Sequence, residues 1–78
     1  MEEKERAKKD IDKLEAVLKE FRKLKLDAEY PEALEWAENY HSDARHFFAR
    51  KDYFTAFGAA NYAYGIIEGL LIISGNKK

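Results

Sequence analysis

The chain has 78 residues, 14 Lys+Arg against 15 Asp+Glu, a formal net charge of -1, no cysteine, one proline and four glycines. That length fits one small domain, residues 1–78, and excludes a multidomain enzyme, while the lack of cysteine excludes a disulfide scaffold, a thiolate zinc site and a thiol nucleophile. With no basic excess there is no source for the counterion-release term that drives generic nucleic-acid binding, so nucleic acid is a disfavoured partner.

The charges are unevenly spread. Residues 1–27 carry nine Lys+Arg and eight Asp+Glu, residues 28–52 carry three and six, and residues 53–76 carry Glu68 alone. Polarity therefore drains away along the chain. The start, Met1-Glu2-Glu3-Lys4, has no apolar stretch like that of a signal peptide, and the expected compartment is the cytoplasm.

In the first segment Ala7, Ile11, Leu14, Leu18 and Phe21 recur at steps of four and three, one stripe of an α-helix that Val17 and Leu24 widen. Glu2 with Arg6, Glu5 with Lys9 and Glu15 with Lys19 are four apart in the favourable order, and Lys23 and Lys25 lie where a helix end prefers cations. The expected helix runs over 3–25. A coiled-coil strand is the competing reading, for which three heptads are short.

Pro31 marks the start of a second helix over 31–50, since proline is pre-organised for the first turn and has no N–H to waste there. On a helical wheel Ala33, Leu34, Ala37, Tyr40, His41, Ala44, Phe47 and Phe48 fall within an arc of about 140°, with Trp36 just outside it beside Tyr40 and Phe47. Asp43 and His46 point away.

Asp52 is a suitable N-cap for a third helix over 53–74, which Gly75-Asn76 would end in a left-handed C-cap. A strand at Leu70-Leu71-Ile72-Ile73 would have no partner strand. Short connections imply antiparallel neighbours, so the expected fold is an all-α, up-down three-helix bundle.

The third helix has two faces. Tyr53, Ala56, Ala59, Ala60, Ala63, Ile66, Ile67, Leu70 and Leu71 form a broad arc suited to the core. Opposite it, Gly58, Gly65 and Gly69 lie within about 40° of one another, flanked by Phe54, Asn61, Tyr62 and Ile72. Three glycines inside a helix cost about 2.5 kcal/mol together against alanine, and the return would be close approach of another helix into the bare row. This face is expected to be a self-association surface, most simply that of a homodimer, with an unidentified protein as the other candidate partner. Two competing readings place the first helix or the N-terminal arm over the glycines, or make 53–74 a membrane span with Gly65-x-x-x-Gly69 as its packing motif. The span would put Asn61 and Glu68 in hydrocarbon, so no membrane partner is expected.

Glu38 with His41 and Asp43 with His46 have the i, i+3 spacing of carboxylate-bridged di-iron sites, but about 140° of helix rotation separates the two pairs. His41 is expected at the core edge with a hydrogen-bond partner and His46 in solvent. No Ser-His-acid grouping or glycine-rich phosphate loop is present, so no enzyme, cofactor or metal is expected. The alternative to self-association is a ligand- or nucleic-acid-accessory domain using the aromatic edge of Trp36, Tyr40 and Phe47.

The stretch Asp43-Ala44-Arg45-His46-Phe47-Phe48-Ala49-Arg50-Lys51-Asp52-Tyr53-Phe54-Thr55-Ala56-Phe57, with Asn61-Tyr62-Ala63-Tyr64-Gly65 and Glu68, resembles the archaeal family known as domain of unknown function 357. The resemblance covers about residues 31–71 and implies a small helical protein without implying an activity. Lys51 departs from it, standing where many relatives have glycine before the Asp. The hairpin is also similar to a single tetratricopeptide unit and distantly to helical domains found beside nucleotidyltransferases. The ribonucleases among those use an arginine four to six residues before a histidine, which neither His41 nor His46 has.

Overall fold

The computed structural model describes residues 2–76, and among them the fold is all-helical with no strand. The helices are α1 (Glu3–Lys23), α2 (Leu26–Glu29), α3 (Pro31–Ala49) and α4 (Tyr53–Ile73). There are thus four helices where three were expected, and the first long helix ends two residues early. The reason is Lys25, whose φ of +60° puts it in the left-handed region. Its N–H bonds the Arg22 carbonyl at 2.9 Å, closing α1, and the chain then re-enters helix at Leu26. Leu26 is buried, so this short turn is held by its apolar anchor and not by a side-chain cap. Leu24, expected on the apolar stripe, is instead partly exposed at the break.

The other helix ends follow local chemistry. Pro31 opens α3. At its close Lys51 N–H bonds the Phe48 carbonyl and Asp52 N–H that of Phe47, the paired pattern of a Schellman ending. Lys51 takes a φ of +66°, the conformation glycine adopts without penalty. The Asp52 carboxylate accepts the Thr55 N–H at 3.2 Å and caps α4. Gly75, at φ +81°, ends α4 with the same paired bonds, Gly75 N–H to Ile72 and Asn76 N–H to Leu71. The expected limits of 50 and 74 become 49 and 73, because Arg50 and Ser74 are the C-cap residues.

Each long helix packs against the other two. α1 contributes the bulk of the core through Ile11, Leu14, Val17, Leu18 and Phe21, with Ala7 buried beside them. Fully burying a side chain such as Leu14 or Phe21 stabilises by about 1.5–3 kcal/mol. The buried residues of α3 are Ala37 and Ala44, and those of α4 are Ala56, Ala60, Ala63, Ile67 and Leu71. Small side chains at those positions allow α3 and α4 to approach closely.

Polar bonds between helices give the register. Glu15 of α1 pairs with His41 of α3, and Arg22 of α1 with Glu38 of α3. Arg6 of α1 lies over the Phe57 ring of α4, and Lys13 over the Tyr64 ring. Tyr40 of α3 meets Tyr62 of α4, and Phe48 meets Tyr53. Of the expected i, i+4 pairs, Glu15 turns to His41 in place of Lys19 and Arg6 lies over Phe57 in place of Glu2, while Glu5 and Lys9 form no ion pair. The one i, i+4 ion pair among the described residues is Lys8–Asp12, at 3.3 Å between well-exposed groups.

Candidate functional site

α4 is held to the rest of the protein by the expected apolar arc, every member of which is buried or half-buried. Its opposite side is open. Gly58 and Gly65 are exposed and Gly69 is half-buried, and no side chain or neighbouring element comes within 4 Å of where a Cβ would stand at any of the three. The reading in which α1 covers this row is therefore overturned. α1 packs instead to one side of it, through Arg6 and Lys13.

The residues flanking the glycines share that exposure. Phe54 is 77% exposed, Ile72 53% and Tyr62 52%, and Asn61 is also in solvent. Ile73, not singled out in the sequence, is 78% exposed and extends the apolar strip at the C-terminal end of the helix. Among the described residues, four of the six exposed large hydrophobics thus lie on α4, a concentration unlike the scattered single exposures normal for a soluble surface. Glu68, the helix's one charged residue, is half-buried and has a partner. By length and composition α4 also qualifies as a membrane span, and it is the one such helix among the described residues.

The aromatic edge of α3 lies next to this face. The Trp36 ring stacks on Tyr40 with centroids 6.2 Å apart, and Tyr40 stands edge-on to Tyr62 at 4.9 Å. A shallow open groove between α3 and α4 is lined by Tyr40, Asp43, Phe47, Phe54, Thr55, Gly58, Ala59 and Tyr62. The two surfaces read from the sequence as rivals therefore meet along one groove. A second hollow, on α3 itself, adds Glu32, Glu35, Trp36 and Asn39 to Tyr40 and Asp43.

The two carboxylate–histidine pairs of α3 do not come together. His41 is half-buried, and its Nε2 donates to the Glu15 carboxylate at 2.9 Å, as expected for a core-edge histidine with a partner. Glu38 is taken by Arg22. Asp43 and His46 are exposed, and His46 leans its ring on Phe47. Among the described residues no group of three or more His, Asp or Glu side chains converges as metal ligands would.

Among the described residues the chain is thus an all-helical protein of three long helices and one short one, with its exposed large hydrophobics concentrated on the last. A family model described as Protein of unknown function (DUF357) matches residues 6–74, and the chain belongs to that family. The match reaches back through α1, beyond the 31–71 stretch that carries the visible motifs. No curated protein and no solved structure matches the chain.

Proposed function

We propose that this protein is a non-enzymatic, self-associating helical module, with the outer face of α4 as its assembly surface and an isologous dimer as the simplest assembly. The observation that carries the reading is the open glycine row. Gly58, Gly65 and Gly69 have space for a side chain within the monomer, so nothing inside the chain requires them to be bare. Each weakens the helix by about 0.8–1 kcal/mol against alanine. A second helix seated on the row would use the missing side chains and cover Phe54, Tyr62 and Ile72.

The reading includes an up-down-up order of α1, α3 and α4. The residue pairs support it, since Arg22–Glu38 and Glu15–His41 run in opposite senses along α1 and α3, as Tyr40–Tyr62 and Phe48–Tyr53 do along α3 and α4. It also places the protein in the cytoplasm, the amphipathic stripes of α1 and α3 being matched to the apolar arc of α4 and not to lipid. Expression and purification without detergent test that part.

Light scattering on a size-exclusion column at high micromolar concentration is the test of assembly. A mass of twice the 9.1 kDa chain is expected, and Gly65→Leu should return the monomer with its helical circular dichroism intact. A wild-type chain that elutes as a clean monomer overturns the proposal.

A second reading is favoured by the Trp36–Tyr40 stack, which leaves a half-exposed indole beside the groove. Here the aromatic edge of Trp36, Tyr40 and Phe47 binds a ligand. Trp36→Ala would then abolish binding and leave assembly unchanged.

A further inference from the structure

One stripe of α3 carries acidic and aromatic side chains and no base. Glu32, Glu35, Trp36, Asn39, Tyr40 and Asp43 follow one another at helical spacing and line an open hollow of about 440 Å³. The hollows beside α1 mix their acids with bases: Glu3 with Arg6 in one, Glu5 and Asp12 with Lys8, Lys9 and Lys13 in another, Asp12 and Glu15 with Lys8 and Arg45 in a third. On α3 itself Glu38 has Arg22. Among the described residues no Lys or Arg lines the α3 hollow, and Glu32, Glu35 and Asp43 form no ion pair. Glu32 and Glu35, three apart, set like charges on neighbouring positions of the helix.

The rings give an independent observation. Arg6 sits over Phe57 and Lys13 over Tyr64, so the fold supplies a cation to two of its own rings. Trp36 carries the side chain that attracts a cation most strongly, and its ring contact among the described residues is Tyr40, inclined by 17°. Tyr40 is in turn fixed edge-on by Tyr62 of α4. The indole is thus held from one side and 53% exposed, with carboxylates before and after it along the helix and no base over it.

We propose that this stripe binds an aliphatic polyamine from solution. The inference rests on the second reading above, in which the aromatic edge takes a ligand, and it gives that ligand its chemistry. From Glu35 to Asp43 the helix rises about 12 Å, with Trp36 and Tyr40 between. Acid at either end and aromatic surface in the middle match a chain whose ammonium groups are separated by methylenes. One ammonium pairs with Glu32 and Glu35, the Asn39 amide oxygen and the Asp43 carboxylate accept N–H donors further along, and the methylenes cover the rings. A single metal ion is a poorer match, since the acids are strung along the helix and do not converge as ligands would.

Trp36 is the chain's one tryptophan, so its emission reports the site without a label. Spermidine at low ionic strength should shift that emission saturably. Octanediol, a chain of similar reach without charge, and magnesium chloride at matched ionic strength should not. Glu35→Gln and Asp43→Asn change exposed positions, and each should weaken spermidine binding by about three- to fivefold with helical circular dichroism unchanged. An equal response to magnesium, or a spermidine affinity that the double variant leaves unaltered, overturns the proposal. A shift with octanediol and none with spermidine overturns the charge of the ligand and leaves the aromatic-edge reading standing. Emission that none of the three moves overturns both.

Discussion

Tyr40 on α3 stands edge-on to Tyr62 on α4, ring centroids 4.9 Å apart, and through that contact the Trp36 stack and the outer row of α4 become one surface. The pair ties the helices together at their exposed margin. Tyr62→Ala should lose about 0.5–1.5 kcal/mol of stability beyond the buried area, measured by urea unfolding. Trp36→Ala removes a half-exposed ring and should change stability by less than about 0.5 kcal/mol. Equal losses from both would show that the edge acts as one packed unit.

The open space beside Gly58 gives a prediction of opposite sign. Gly58→Ala should raise monomer stability by about 0.8–1 kcal/mol, because alanine is the better helix former and meets no neighbour. The measurement is thermal unfolding at a concentration too low for assembly. A loss would mean that something in the chain presses on the row.

Lys51 is held at φ +66° between α3 and α4. A left-handed conformation costs a residue with a side chain roughly 1–2 kcal/mol, and glycine returns about 0.4–1 of that through the freer unfolded chain. Lys51→Gly should therefore stabilise by about 0.5–1 kcal/mol, and Lys51→Val should destabilise. Chemical denaturation of the two variants settles the sign.

His41 and Glu15 join α3 to α1 across the core edge, the histidine side chain 19% and the carboxylate 40% exposed. Since an ionised carboxylate can only accept, the imidazole is the donor. Partial exposure screens the bond, so a double-mutant cycle of His41→Ala with Glu15→Ala should give a coupling of about 0.5–1 kcal/mol. Zero coupling would assign the role of His41 to packing alone.

Much of this was legible in the residues themselves. The buried side of α1 coincides with the four-and-three spacing of Ala7, Ile11, Leu14, Leu18 and Phe21, and Pro31, Asp52 and Gly75 stand at helix ends for the reasons their chemistry supplies. These are local signals, set within one or two turns. The break at Lys25 was not legible, because lysine carries no turn preference and the left-handed residue there is imposed by burying Leu26. The partners of Glu15 and Glu38 depend on which helix lies alongside, which spacing within one helix does not report.

The same limit applied to the candidate site. The glycine row and its apolar flanks follow from angular position on one helix, and their exposure matches that reading. The meeting of the Trp36 edge with Phe54, Gly58 and Tyr62 required the register between α3 and α4. Ile73 had a signal in its hydrophobicity and its place just after Ile72, but it sits at the frayed margin of the wheel pattern.

Because α4 packs on both α1 and α3, a segment that stops before α4 leaves two amphipathic rods without the helix that covers their apolar sides. A peptide ending at Asp52 should melt without a cooperative transition, and a sharp one would show that the two rods sustain each other unaided. Without its keystone α4 the remaining pair would behave as two independent rods, so the three long helices make up one unfolding unit and not a stable hairpin with an appendage.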